Sequence, residues 1–261
     1  MKKYLKIWRQ LAKNSFMSYA ANRLDFGAYF IGKVVRFVFF WIFIVSLFNF
    51  IPSFAGYTRV EALLIFITYN LVDTLSQFFF RGLYVFKSDI RHGRFDYILS
   101  KPVRPLFYVF SRLPDVLDLI SLVPLAILFW HILGQWPEAV TAGSLLAYFT
   151  FLALGLLIIF SFHVFVGAVI VRTGEGDAAI FLYRDVLGLA RFPAEIFPSF
   201  WRIVLTTVVP VLVAVTFPVR ALLGRLGTAE IFLSLIVAML FTSTALLFWR
   251  ASVRYYASAS S

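Results

Sequence analysis

Ionisable and amide side chains interrupt several long apolar stretches of this 261-residue sequence. A carboxylate or a cation among apolar residues is costly to bury, so each is by default a candidate for function. Such groups can pair with one another, carry protons, or act as general acids and bases. The candidates are Asp73, Gln77, Arg112, Asp115, Asp118, His163, Arg184 and Asp185.

Three of these candidates follow one another along a predicted helix. Arg112 and Asp115 are three residues apart, and Asp118 lies one turn further on. One cation can partly neutralise two carboxylates on such a face, which predicts an ion-paired helix entrance. Acid–base chemistry or proton movement by the two aspartates is the functional alternative. Asp73 and Gln77 share a face at i and i+4, where a packing hydrogen bond is the alternative to a functional role.

The remaining candidates lie in two later apolar stretches. His163 is near the centre of the fourth stretch, where a lone histidine can titrate or contact a ligand but more often hydrogen-bonds a neighbouring helix. Arg184 and Asp185 in a short fifth span would need partners such as Asp73. The three histidines are too scattered for a metal site, and the chain has no cysteine.

Six apolar stretches carry these residues, and each is about long enough to cross a bilayer, which takes roughly 20 residues. Hydrophobic residues make up 61 % of the chain and charged residues 14 %, against about 45–50 % and roughly 25 % in soluble domains. We therefore predict an all-α polytopic membrane protein with a single transmembrane domain. The predicted spans cover residues 30–50, 60–80, 106–133, 144–171, 178–191 and 229–250.

The net charge of +11 is concentrated before the first stretch, between the second and third, and after the last. Lysine and arginine accumulate on the cytoplasmic side of membrane proteins. We therefore expect both termini and the loop at 87–104 in the cytoplasm, with an even number of crossings. Anionic lipid headgroups would favour the same basic segments, and we expect no nucleic-acid partner.

Residues 1–28 have the pattern of a helix that lies in the membrane interface. Leu5, Trp8, Ala12 and Phe16 recur three or four residues apart, and cations fill the other face. The alternative is a helix packed on a partner protein.

The segment 87–104 is the most polar part of the chain. Ile90, Phe95, Ile98 and Leu99 give it one apolar side, and Pro102 prevents the helix from continuing. We predict a short amphipathic helix that docks on another protein through these four side chains.

Two ordered sets of residues match a known pattern. The first is Asp89, Gly93, Asp96, Leu99, Pro102 and residues 105–107; the second is residues 188–193, 197–198, 209–210 and 218–224. They resemble the coupling loop and the re-entrant hairpin of permeases of ABC exporters in the type-2 ABC transporter superfamily. The short loops are similar to those of its small branch, whose permeases are often encoded in pairs.

The resemblance implies that the chain is the membrane-spanning subunit of an ATP-driven exporter in the plasma membrane of a prokaryote. A second, identical or related permease subunit would complete the path. The coupling helix would dock on a separate ATPase subunit, which would hold ATP and magnesium, because the chain has no G-x-x-x-x-G-K-[ST] loop. The implied coupling residues are Asp89, Ile90, Gly93, Phe95, Asp96, Ile98, Leu99 and Pro102.

The fifth region allows two topologies, because Pro193, Pro198, Pro210 and Pro218 interrupt it. In the first, 178–191 is a span and 193–224 re-enters the membrane from outside. In the second, 173–199 is cytosolic and 201–223 is the span. Irregular backbone at membrane depth is tolerated only inside protein or beside water, so the prolines favour a re-entrant element.

Two other functions are compatible with the sequence. One is a proton-coupled secondary transporter, although the sequence shows no inverted repeat. The other is a membrane-embedded, lipid-modifying enzyme that uses Asp115, Asp118 and His163. Co-purification with an ATPase would separate the permease from both.

Overall fold

The computed structural model of the chain describes residues 2–21 and 23–257, and no strand occurs in this part. Two 3₁₀ turns (Arg81–Val85 and Ala194–Ile196) and a π-helical turn (Val204–Val208) adjoin the α-helices. The α-helices are α1 (Lys2–Ala21), α2 (Arg23–Leu47), α3 (Arg59–Phe80), α4 (Phe86–Arg91), α5 (Arg94–Ser100), α6 (Pro105–Ser111), α7 (Val116–Leu133), α8 (Ala142–Thr173), α9 (Asp177–Leu189), α10 (Ser199–Ile203), α11 (Val211–Leu222) and α12 (Thr228–Arg254).

In the part of the chain that the structure describes, four helical segments are long and apolar enough to cross a membrane, and they coincide with the first, second, fourth and sixth predicted spans. A pair of shorter helical segments, bent by 96°, brings the number to five if the pair counts as one span. The chain is therefore an all-helical, multi-pass membrane protein. The four segments are Phe30–Leu47, Arg59–Arg91, Ala142–Thr173 and Thr228–Arg254; the bent pair is Ser199–Val208 with Val211–Leu222.

The predicted third span, 106–133, is not one helix. The chain leaves the helical conformation between α6 and α7, where Pro114 lacks an N–H group and disfavours a helical Leu113. The apolar part of α7, Asp118–Leu133, is shorter than the roughly 20 residues that a spanning helix needs.

The predicted fifth span, 178–191, is also short. The helix α9 has 13 residues, which at 1.5 Å per residue is about 20 Å, against a hydrocarbon thickness of about 30 Å. Irregular turns and the bent pair follow it, so the structure departs from regular helix where the sequence has its prolines.

The helix α1 packs on its own chain, and it ends at Ala21 rather than at residue 28; Met1 lies outside the described residues. The ammonium group of Lys3 donates to the carbonyl of Pro102 at 2.7 Å, and the hydroxyl of Ser15 donates to the carbonyl of Pro114 at 2.8 Å. The helix α1 is thus fastened beside α6 and over the break that precedes α7.

The core is centred on α8, which packs against α11 and α12, while α3 packs against α7 and α11. The helices α8 and α11 approach each other closely at Gly155 of α8. A Cβ atom there would lie 2.5 Å from the carbonyl oxygen of Ala214 in α11. Only a residue without a side chain lets the two backbones meet at this distance.

We therefore expect Gly155→Ala to separate α8 from α11 and to lower stability by about 1–3 kcal/mol, the usual cost of overpacking. Thermal unfolding of the detergent-solubilised protein measures the loss. Gly143→Ala is the matched control, since its nearest neighbouring atom would be 3.7 Å away. Equal melting temperatures for the two variants would contradict this account of the contact.

Candidate functional site

The predicted coupling loop, 87–104, folds as two short helices rather than one. The helices α4 and α5 are separated by a turn at His92 and Gly93. Gly93 has a φ of 67°, a left-handed conformation that glycine adopts without a steric penalty. The turn folds the two helices back on each other, and they contact each other directly.

The apolar side of this segment faces the chain itself, which corrects the prediction that it faces outward. Phe95 is fully buried, with its ring centroid 5.1 Å from that of Phe86, 5.0 Å from Tyr256 and 6.4 Å from Trp249. Ile90 and Ile98 are buried too, and Leu99 is partly buried against the same core. The apolar residues at the end of α12 therefore cover the side chains that we expected to contact a partner protein.

The exposed face of the segment is basic and carries one large ring. Tyr97 is 68 % exposed, and Lys101 lies over its ring at 4.4 Å. Arg91, His92 and Arg94 are exposed on the preceding turns. A docking partner would meet this aromatic and cationic face.

Asp89 is the polar anchor of the segment. It is 1 % exposed, and its carboxylate accepts a hydrogen bond from Arg94 at 2.9 Å and contacts Arg112. The sequence predicted that Arg112 pairs with Asp115 and Asp118. In the structure Arg112 instead contacts Asp89 of the coupling segment. Asp96 lies in the first turn of α5, where a carboxylate interacts favourably with the helix dipole. Pro102 is exposed, and its carbonyl group accepts a hydrogen bond from Lys3.

A second set of ion pairs joins the segment to the turn between α8 and α9. Lys87 lies 2.9 Å from Glu175 and 2.5 Å from Asp177, and Arg91 also contacts Glu175. Gly174, with a φ of 68°, makes this turn possible. Sequence reasoning did not pair these elements, although one is basic and the other acidic.

The aspartates of the third apolar stretch each contact a cation from another element. Asp115 contacts Arg81, which follows α3, and Asp118 contacts Lys33 of α2; both aspartates are fully buried. Lys33 and Arg81 were missed as partners because nothing in the sequence indicates which helices are neighbours.

The polar residues of α3 have separate partners. Asp73 lies 3.5 Å from Arg36 of α2, and the amide of Gln77 donates to the Tyr84 hydroxyl at 3.1 Å. The shared face predicted for Asp73 and Gln77 does not bring their side chains into a hydrogen bond with each other.

His163 is completely buried in α8. Its Nδ1 is 2.8 Å from the carbonyl of Ile159 in the same helix, and its ring lies against Phe80 and Tyr183. We expected His163 to hydrogen-bond a neighbouring helix. Its hydrogen bond is instead to a carbonyl group of α8 itself. Asp115, Asp118 and His163 are held by different groups, and the described residues contain no cluster of metal-ligating side chains.

Arg184 and Asp185 lie on the exposed face of α9, so they are not buried in a span with Asp73 as partner. On the isolated chain these two side chains therefore have no buried counter-ion within the core to find.

Three of the four prolines each precede the start of a short element. Pro193 precedes a 3₁₀ turn, Pro198 precedes α10, and Pro210 precedes α11 at the 96° bend. Pro218 lies inside α11 without ending it.

The two ends of this proline-containing region meet. Arg220 lies 3.9 Å from Glu195 and 2.6 Å from Glu230. Tyr57 is buried beside Glu195, and burial raises the pKa of its phenol, as does the nearby Glu195 carboxylate. The chain therefore leaves this point after Glu195 and returns to it at Arg220.

The apolar spans and the helical pair α4 and α5 define the class of the protein. It is a polytopic helical membrane protein in which a surface segment is bound to the core by ion pairs and ring contacts. A family model described as ABC-2 family transporter protein matches residues 34–260. The chain belongs to this family and is thus a permease of an ABC transporter, as its resemblance implied. Searches among curated proteins and solved structures gave no match.

Proposed function

We propose that this chain is the permease subunit of an ATP-driven exporter and couples to a separate ATPase through the exposed face of α4 and α5. The observation that carries the proposal is the way this pair is fixed. Asp89 holds it to Arg112 beside α6, Lys87 holds it to the α8–α9 turn, and Phe95 holds it to α12. A displacement of the pair would therefore reach three different parts of the core.

The chemistry of the proposed coupling surface fits an acidic groove on the ATPase. Arg91, His92 and Arg94 supply positive charge, and Tyr97 supplies an exposed aromatic ring. Buried aromatic anchors surrounded by complementary charge dominate many protein interfaces. ATP and magnesium would be held by the ATPase.

We propose that a second copy or a related permease completes the translocation path. Many apolar side chains of α2 and α12 are exposed on the isolated chain, which suits contact with lipid and with a second subunit. We also propose that both termini and the coupling surface lie in the cytoplasm of a prokaryotic cell; the distribution of the basic segments supports this.

For the fifth region we propose the re-entrant topology. Glu195 and Arg220 lie side by side, with the 96° bend between them in the sequence. A segment whose two ends meet on one side of the membrane enters and leaves on that side. The helix α9 and the residues after it would then form a short crossing.

The decisive experiment is co-purification of the tagged permease with its ATPase. We expect the wild-type chain to retain an ATPase subunit and Tyr97→Ala to weaken the complex about thirtyfold, since a lost aromatic anchor costs about 2 kcal/mol or more. Phe50→Ala is the control, because this ring is 86 % exposed and belongs to the α2–α3 connection. Purification of an active wild-type transporter without any ATPase would refute the proposal.

A further inference from the structure

A cation without a carboxylate partner lies beside the middle of α3. The guanidinium of Arg191 donates to the carbonyl of Gly188 at 2.8 Å and to the Tyr69 hydroxyl at 3.3 Å. It also lies 5.1 Å from the ring centroids of both Phe40 and Tyr69. Among the side chains that the structure describes, no carboxylate forms an ion pair with it.

A second guanidinium faces the same cleft. Arg36 of α2 and Arg191 both line a narrow gap between α2 and α3, together with Asn70. Arg36 is half exposed and its distance to Asp73 is 3.5 Å, longer than a good charge-assisted hydrogen bond. A guanidinium has five N–H donors in a planar fork, so both arginines retain donors for another acceptor.

A larger cavity of about 180 Å³ lies between α2, α3 and α7 and shares Arg36, Phe37 and Asn70 with this cleft, whereas Arg191 lines the cleft alone. Arg36 and Asn70 line both spaces, and Thr74 and Ser121 add hydroxyl groups. The ion-paired side chains of Lys33 and Asp73 also line it. The rest of the cavity wall is apolar and consists of Phe30, Val34, Phe37, Pro124, Leu125 and Leu128.

The charges around these two spaces do not balance. Lys33 contacts Asp118 and Arg36 pairs with Asp73, so each carboxylate already has one cation. Among the described side chains around these two spaces, Arg191 is the cation that no carboxylate pairs with. An unmatched charge at membrane depth is costly, and a bound anion would remove that cost while using the free donors of both arginines.

We propose that the space between α2, α3 and α7 binds an amphiphilic anion, with a phosphate or carboxylate group at Arg36 and Arg191. Its apolar part lies along Val34, Leu125 and Leu128. Calling this ligand the exported molecule rests on the proposed function, whereas the binding site itself does not. The same chemistry belongs to an anionic lipid headgroup and to a free amphiphilic anion.

Binding is tested on the full purified chain in a neutral detergent by native mass spectrometry, with dodecyl phosphate as the probe and dodecyltrimethylammonium as the cationic comparator. We expect saturable binding of dodecyl phosphate only. Arg191→Gln and Arg36→Gln are each expected to weaken it about tenfold, the lower range for a hydrogen bond to a charged group. Arg191→Lys, which keeps the charge, is expected to weaken it less.

Arg202→Gln is the matched control, since Arg202 is exposed on α10 and outside both spaces; its affinity is expected to equal that of wild type. Melting temperatures identify variants that fail to fold. The Arg36→Gln variant tests the site independently of Arg191→Gln, because the Arg36 guanidinium, unlike that of Arg191, caps no helix. Unchanged affinity in a folded Arg36→Gln chain, or equal binding of the cationic probe, would overturn the proposal.

Added phosphatidylglycerol distinguishes the two sources of the anion. If phosphatidylglycerol displaces dodecyl phosphate, the occupant of the site is a lipid headgroup. If the probe stays bound, the occupant is a free amphiphilic anion. ATPase co-purification is measured in parallel. A chain that retains its ATPase but does not bind the probe contradicts this inference alone, and a chain that binds the probe without an ATPase contradicts the proposed function alone.

Discussion

Alanine in place of Phe95 is expected to destabilise the chain by about 3–5 kcal/mol, the usual cost of removing a buried aromatic ring. Phe95 is completely buried, and its ring contacts Phe86, Tyr256 and Trp249. Its removal leaves a cavity between α5 and α12 that the rigid surroundings cannot fill. Thermal unfolding and the yield of monodisperse protein measure the effect.

Tyr97→Ala is the control within the same helix. Tyr97 is 68 % exposed, so its removal is expected to leave the melting temperature almost unchanged. Tyr97→Ala is also the variant expected to weaken ATPase binding, so the two substitutions should have opposite patterns. A stable Phe95→Ala chain that has lost only its ATPase would show instead that Phe95 faces the partner.

The contrast between these two rings shows what the sequence could and could not predict about the coupling segment. Its length, its apolar side and its end at Pro102 follow from local pattern. Whether the apolar side of an amphipathic helix meets a partner or its own chain depends on tertiary neighbours. Here the end of α12 lies close enough to cover Phe95, and no local signal indicates that.

The polar candidates show the same limit. Burial of Asp115 and Asp118 was predictable, because a carboxylate in an apolar stretch has few alternatives. Their partners were not, since Lys33 and Arg81 come from elements far away in the sequence. The local spacing of Arg112 and Asp115 suggested a pair within one helix, but Pro114 interrupts that helix and leaves Arg112 free to reach Asp89.

The apolar stretches themselves were the most predictable part of the chain. Four long spans follow from composition, since the bilayer requires helices of a minimum length. The family resemblance was also correct for residues 34–260. The third stretch differed because Pro114 breaks the helix at a point that average hydropathy does not register.

Removal of the Asp89 carboxylate is the second substitution for which we expect a large effect. Asp89→Ala is expected to cost about 3–5 kcal/mol, since it leaves the partly buried Arg112 without its counter-ion. Asp89 is 1 % exposed and joins α4 to the end of α6 through this contact. The expected result is a lower melting temperature and faster proteolysis of residues 86–104.

Two comparisons separate the charge effect from a general loss of packing. Arg94→Ala removes the exposed partner of the same carboxylate and is expected to cost about 1 kcal/mol or less, as exposed ion pairs do. Asp89→Ala combined with Arg112→Leu removes both buried charges and is expected to be more stable than Asp89→Ala alone, because no uncompensated charge remains. If the double variant were as unstable as the sum of both single variants, the stability contributed by Asp89 would come from its packing rather than from its ion pair with Arg112.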